Sequence, residues 1–192
     1  MVHTRTVNVE TPDLSMLTDA QIAELRSHFP ILSQKTYLYN CSQGAISDAS
    51  EAGMRAYIDS WRTSVTPWDT WMECYEGLRL QFAKFINAEP DEVAITTSVS
   101  AAINPIANAL AFNGTSARDT VVMSEFEFPT MGQIWLAQQP RGAKIRFLDG
   151  TDNQVPTEAY AKAVDQRTKI VPLTAVSFVN GSRSDIPAIT KI

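Results

Sequence analysis

Apolar positions along the chain change period several times, and each change marks an element. Ile22, Leu25 and Phe29 recur at helical spacing behind Thr18-Asp19-Ala20-Gln21. That tetrapeptide is a capping box, with Thr18 as the cap and Gln21 at the third helical position, and Pro30 ends the helix. Residues up to about Leu17 are polar and read as an arm. Tyr37-Leu38-Tyr39 is a short extended piece that runs into a compact polar loop, Asn40-Cys41-Ser42-Gln43-Gly44. Ser47 to about Arg62 predicts a helix with Met54, Ile58 and Trp61 on one side. Thr66-Pro67 reads as a cap followed by Pro at the first helical position. Trp68, Trp71, Tyr75, Leu78, Phe82 and Phe85 or Ile86 then form a long apolar stripe, which reads as core packing.

From residue 93 the pattern alternates between short β-branched runs and helical stretches. Four strands are expected, over residues 93–96, 120–123, 144–148 and 169–177. Pro90-Asp91-Glu92 turns the chain into the first of them. An Ala-rich helix from residue 101 to about 112 follows, with Asn113-Gly114 as its stop signal. A second helix spans about 129–139, with Ile134 and Trp135 among its buried residues, and Arg141-Gly142 closes it. A third lies near 157–165. Phe178-Val179-Asn180-Gly181-Ser182 is a turn, after which Asp185-Ile186-Pro187 starts another helix. Strands alternating with helices imply right-handed crossovers and an α/β fold with a largely parallel sheet. Ligands of such sheets sit at the carboxyl ends of the strands. Loops 97–100, 124–130 and 178–182 all fall at that edge.

Composition narrows the partners. The chain has 192 residues, 44% hydrophobic and 19% charged, an ordinary globular balance. A net charge of −5 with no Lys/Arg run argues against nucleic acid or an anionic membrane as partner. Cys41 and Cys74 are the two cysteines and have no metal-ligand spacing around them, so the expectation is a reduced, cytoplasmic protein without a metal site. No apolar run reaches membrane-spanning length, and the first residues lack the apolar core of a signal peptide.

Candidate chemistry concentrates where Val93-Ala94-Ile95-Thr96 gives way to Thr97-Ser98-Val99-Ser100 and then to the Ala-rich helix. A strand that turns through small hydroxylated residues into a helix leaves the first N–H groups unpaired. Those donors and the positive end of the helix dipole favour an anion, typically a phosphate. Ser98, the Val99 backbone and the Ser100 hydroxyl supply the donors. The alternative is that Ser98 or Ser100 merely caps a packed helix.

Four segments in this order resemble fold-type I pyridoxal-phosphate enzymes of the class V aminotransferase group, which includes cysteine desulfurases, selenocysteine lyases and kynureninases. Tyr37-Leu38-Tyr39-Asn40-Cys41-Ser42-Gln43-Gly44 resembles the family's opening loop. Residues 95–104 resemble its phosphate loop and helix. Residues 124–130 resemble the segment whose side chain stacks on the pyridine ring. Residues 176–189 resemble its V-S-N-x-x-G-x-x-x-P segment. The resemblance implies the N-terminal part of a three-layer αβα large domain, with residues 1–64 as an arm and helices and residues 65–192 as the partial cofactor domain. It implies pyridoxal 5'-phosphate as cofactor, held by Ser98, Val99, Ser100, Phe128 and Thr130. It also implies an amino-acid substrate near Asn40 and Gln43, and a homodimer when complete. Thr130 is expected either to donate to the phosphate or substrate or to cap its helix.

Two positions depart from the pattern. Phe128 falls where desulfurases place a histidine and kynureninases a phenylalanine, which lowers a desulfurase reading and raises a kynureninase-like or other lyase or transferase reading. Phe178 falls where many relatives carry an asparagine. Asn180 either substitutes for that asparagine or forms an ordinary Asn-Gly turn pair. His28 reads as a surface or packing residue, and Cys41 as a small half-buried one.

The resemblance places the Schiff-base lysine and the aspartate of the pyridine nitrogen after the fourth strand, and neither Lys169 nor Lys191 matches. This chain is therefore expected to supply no catalytic residue. In the family's sheet the second, third and fourth strands lie together, while the first pairs with the last. Residues 93–96 should then lack a neighbour, and the isolated chain should be insoluble, molten or dependent on a partner. A nucleotide-binding domain would need a Gly-rich phosphate motif after the first strand, and none is present. A catalytically inactive half-fold, acting as a binding or scaffold module, is the alternative function.

Overall fold

A computed structural model describes residues 17–40, 42–112, 117–151 and 154–192. The polar arm, Cys41 and the Asn113-Gly114 stop lie outside the described residues, apart from Leu17. The chain forms two compact units, Met1–Ile95 and Thr96–Ile192.

The regular elements of the first unit are helices. α1 (Asp19–Ser27) begins at the expected capping box: Thr18 Oγ1 accepts from the Gln21 N–H at 3.3 Å, and Gln21 Oε1 accepts from the Thr18 N–H at 2.9 Å. Pro30 ends it by opening a 3-10 turn. α2 (Asp48–Thr63) starts at Ser47, whose hydroxyl accepts from the Ser50 N–H at 3.2 Å. α3 (Trp68–Phe85) starts one residue later than expected. Pro67 is its cap rather than its first residue, because the Pro67 carbonyl already accepts from the Trp71 N–H at 3.1 Å.

Trp71 joins the two long helices. Its ring meets Tyr57 at 5.1 Å and Trp61 at 5.7 Å, and its Nε1 donates to Ser60 Oγ at 2.9 Å. The rest of the α3 stripe corrects the core-packing expectation. Ala83 is the one buried residue on this helix, while Phe85 is 76% exposed and Trp68 64%. An amphipathic face is buried only when an apolar layer faces it, and in this unit α2 covers one end of the stripe.

The second unit is a three-layer sandwich built on β1 (Thr120–Ser124). β1 pairs in parallel with β2 (Lys144–Leu148) on one side and β3 (Thr168–Ile170) on the other. All five residues of β1 are buried, and its side chains alternate between faces. Val121 and Met123 pack with Ala107, Phe112, Ile134 and Trp135, under α4 (Val99–Ala109) and α5 (Pro129–Leu136). Val122 packs with Leu148, Tyr160, Ala163 and Ile189, under α6 (Thr157–Ala163) and α7 (Ile186–Ile189). Arg141 reaches back to the end of α4, donating to the carbonyls of Asn108 at 2.9 Å and Leu110 at 3.2 Å. A guanidinium there satisfies orphan carbonyls and complements the negative end of the dipole. Gly142 follows at φ 100°, a conformation that favours glycine.

Two strand expectations change. Residues 93–96 form no strand and join no sheet among the described residues, although Val93 is extended at φ −112° and ψ 122°. The fourth strand is shorter than residues 169–177. Its ladder stops at Ile170, and the chain then folds back on itself, with Ser177 N–H donating to the Ser182 carbonyl at 2.9 Å and Ser184 N–H to that of Ala175 at 3.0 Å. Pairing to β1 covers only Thr120 and Val121, with a register shift between them.

The amino end of β1 is tied down by charge. Asp119 is buried and receives Lys144 Nζ at 3.1 Å and the Arg167 guanidinium, and its N–H donates to the Arg167 carbonyl at 3.0 Å. Burial works to raise its pKa, but hydrogen bonds from Lys144, Arg167 and Thr120 and the Arg167 charge outweigh it and hold the pKa at about 2, against an ordinary 3.8. The folded chain thus binds this proton less readily than the unfolded chain. The resulting stability is present above the unfolded value and is lost as pH falls through the folded one. Thermal denaturation should show the melting temperature dropping as pH falls from 3.8 to about 2. Asp119→Asn should flatten that drop, and an unchanged slope would remove Asp119 from its cause.

The open α3 face carries a second prediction, because an exposed apolar surface favours association. The isolated 192-residue chain should self-associate and bind a hydrophobic dye, and Trp68→Lys with Phe85→Lys should reduce both. Sedimentation of the unaltered chain as a dye-silent, sharply unfolding monomer would count against this.

Candidate functional site

The carboxyl end of β1 opens into a cleft of about 350 Å³. One wall is the start of α4. Ser98 caps that helix, its Oγ accepting from the Ala101 N–H at 3.1 Å and its carbonyl from the Ala102 N–H at 3.0 Å. The Val99 and Ser100 N–H groups therefore precede the first bond of the helical ladder. Capping uses Ser98 Oγ as an acceptor and leaves its proton available, so a capping role does not exclude donation to an anion.

The opposite wall comes from the loop that leaves β1. Ser124 Oγ accepts from the Phe126 N–H at 2.9 Å, and the Glu127 N–H donates to the Ser124 carbonyl at 3.3 Å. This tight turn delivers Phe128 to the cleft, where the residue is 55% exposed. Phe178 meets that ring edge-on, with centroids 5.0 Å apart and planes at 70°, a favoured aromatic geometry. α5 is capped by Phe128 with no side-chain hydrogen bond. Thr130 is therefore not a cap, and its side chain lines the cleft beside Met131 and Ile134.

Ser98, Val99, Ser100, Phe128 and Thr130 thus line one cleft. Asn40 and Gln43 belong to the other unit. They sit in a turn where the Ser42 and Gln43 N–H groups donate to the Tyr39 carbonyl and Tyr37 Oη donates to the Gln43 carbonyl at 2.6 Å. Asn180 follows the turn reading: its Oδ1 accepts from the Ser182 N–H at 2.9 Å, and Gly181 takes φ 73°. His28 is an exposed C-cap of α1, and Cys74 is an exposed free thiol.

Sequence reasoning missed Thr174, which also lines the cleft, and Glu127, which lies buried beneath it. Glu127 Oε1 accepts from the Thr174 N–H at 3.0 Å, and Oε2 accepts from Thr174 Oγ1. The one local signal is an acidic residue set between Phe126 and Phe128 in the loop leaving a buried strand. Tyr160 shares this polar pocket. Burial, reinforced by the Glu127 charge and opposed by a hydrogen bond with Ser124, pushes its hydroxyl up to about 12. N–H and O–H donors on one wall with a flat apolar ring on the other suit a flat aromatic group that carries a phosphate.

The family model for class V aminotransferases matches residues 46–192. An uncharacterized aminotransferase of Bacillus subtilis is 32% identical over 169 residues, which cover 88% of this chain and 44% of that protein. A probable cysteine desulfurase of Methanothermobacter thermautotrophicus is 32% identical over 115 residues, covering 59% of this chain and 28% of that protein. Among solved structures, a variant of the cystine C-S lyase C-DES with glycine covalently linked to its PLP cofactor superposes with TM-score 0.75 at 23% identity, covering 86% of this chain and 44% of that one. A cysteine desulfurase from Thermococcus onnurineus gives TM-score 0.73 at 21% identity, covering 88% and 44%. At these identities the structures show the fold. The chain spans less than half the length of these relatives. It belongs to the class V aminotransferase family, whose cofactor is pyridoxal phosphate, and it carries part of that family's fold-type I architecture.

Proposed function

We propose that this chain supplies the phosphate cradle and ring cover of a pyridoxal-phosphate enzyme that acts at Cα or Cβ of an amino acid, in a kynureninase-like or other class V lyase or transferase reaction. The observation that carries the reading is the single cleft that joins Ser98, Val99, Ser100 and Thr130 to the Phe128 ring. Pyridoxal phosphate, when bound, withdraws electrons from the substrate Cα. The chain's own residues bind and orient. Ser98 and Ser100 hydroxyls and the Val99 and Ser100 N–H groups hold the phosphate, and Thr130 adds a hydroxyl. Phe128, braced by Phe178, covers one face of the ring and excludes water from it. Asn40 and Gln43 are assigned to substrate binding. Residues 65–192 are assigned to the cofactor domain, and residues 1–64 to an arm and helices. The lysine that holds the cofactor covalently is assigned to the part of the relatives that this chain does not span. The complete enzyme is assigned as a cytoplasmic homodimer.

Phe128 supports carbon rather than sulfur chemistry. A phenylalanine has no proton to give to a sulfur atom, whereas a histidine at that position would.

The cradle is tested by comparing ligands with and without the phosphate. Pyridoxal phosphate should bind more tightly than pyridoxal, and Ser98→Ala with Ser100→Ala should remove about tenfold or more of that difference, the scale of one charge-assisted hydrogen bond. Equal loss of both ligands would place the phosphate elsewhere.

The reaction class is tested in a polypeptide of the relatives' length. Release of alanine from L-kynurenine should exceed release of sulfide from L-cysteine. The reverse order would return the chain to the desulfurase branch, and inertness toward both with cofactor bound would favour another class V reaction.

A further inference from the structure

The loop that carries Phe128 is tied to the segment after β3 through the Glu127 side chain. Glu127 does not line the cleft; it lies in a neighbouring polar pocket with Ser124, Tyr160 and Thr174 and is 8% exposed, between the exposed Phe128 and the half-buried Phe126. Both of its carboxylate oxygens are used by a single residue, Thr174: one accepts the backbone N–H at 3.0 Å and the other accepts the side-chain hydroxyl. Thr174 lines the same cleft as Phe128. Its carbonyl in turn accepts from Ser184 Oγ at 2.8 Å, just ahead of α7. One hydrogen-bonded path therefore runs from the Phe128 loop through Glu127 to Thr174 and on to the segment after β3.

Packing alone does not call for this residue. Taking a carboxylate out of water is costly, and an apolar side chain of similar size would fill the same space without that cost. The carboxylate adds direction. Two bonds to one residue fix both the distance and the rotation between two segments that are 47 residues apart in the chain. Among the described residues no strand ladder aligns these segments, because β3 ends at Ile170.

We propose that Glu127 is a positioning residue: its two-point tie to Thr174 sets the Phe128 ring as a fixed wall of the cleft. The role toward the cofactor rests on the reading of the cleft as the pyridoxal phosphate site. Glu127 touches no ligand in this scheme and acts through Phe128.

Three measurements test it on the unaltered chain and on Glu127→Ala, Glu127→Gln, Phe128→Ala and the Glu127→Ala/Phe128→Ala double variant. Hydrogen exchange needs no ligand. Glu127→Ala should raise exchange in residues 171–177 and 125–131 while leaving 99–109 protected. Glu127→Gln, which can still accept from the Thr174 N–H and donate to Thr174 Oγ1, should restore most of the protection. Unchanged exchange in Glu127→Ala overturns the tie itself, whatever the cleft binds. Next, Glu127→Ala should weaken pyridoxal phosphate about tenfold while inorganic phosphate, which uses only the cradle, changes less than about twofold. Equal weakening of both ligands means a general structural role and overturns the proposal. Finally, the double variant should bind pyridoxal phosphate no more weakly than Phe128→Ala alone, because the carboxylate has no effect without the ring. Additive losses overturn the route through Phe128. An unaltered chain that binds neither ligand, yet shows the exchange pattern, overturns the cofactor-site reading and with it the role toward the cofactor.

Discussion

The structure depends on one buried central strand. β1 is paired with β2 along its whole length and with β3 at Thr120 and Val121, it is covered on both faces, and all five of its residues are buried. A strand in that position has no freedom of register, because a shift by one residue would exchange Val121 and Met123 with Val122 across the sheet. Its two ends are then fixed points. The amino end is set by Asp119 with Lys144 and Arg167. The carboxyl end places the Ser124 turn, and through it Phe128, opposite the start of α4. The cleft follows from β1 being immobile.

The polar groups at the two ends do different work. At the amino end, an aspartate between two cations joins β2 and the start of β3 to the central strand where the sheet meets solvent. At the carboxyl end the polar residues are mostly uncharged: Ser98, Ser100, Thr130, Thr174, Ser177 and Ser184. Hydroxyls and amide N–H groups can receive an anion without a counter-charge that would have to be displaced first. The buried exception is Glu127, and both of its oxygens are occupied.

The first unit shows the opposite condition. Its helices α1 and α2 have side-chain caps and α3 carries a long apolar stripe, yet the described residues of α1, α2 and α3 bury little beyond Ala83. Trp71 gathers Tyr57, Trp61 and Trp68 around itself at 5.1–5.7 Å. That cluster orders one end of the α2–α3 pair and leaves Leu78, Phe82 and Phe85 open. Helical propensity and capping form such helices, but only tertiary packing buries their faces.

Local signals in the sequence determined most of the elements. The capping box at Thr18, the caps at Ser47, Ser98 and Asp185, and the β-branched runs at 120–123 and 144–148 act within a few residues, so the chain forms them wherever it is placed. The same locality brought Ser98, Val99, Ser100, Phe128 and Thr130 within reach, because alternating strands and helices put their loops at one sheet edge. What only the tertiary structure decided are relations across long stretches of chain. The length of β3 and the exposure of the α3 stripe each depend on what lies opposite, which periodicity does not encode. The tie from Glu127 to Thr174 is the clearest case. An acidic residue between two phenylalanines looks exposed in sequence, and it is buried because the segment after β3 crosses beneath it and offers an N–H and an O–H at the right distance.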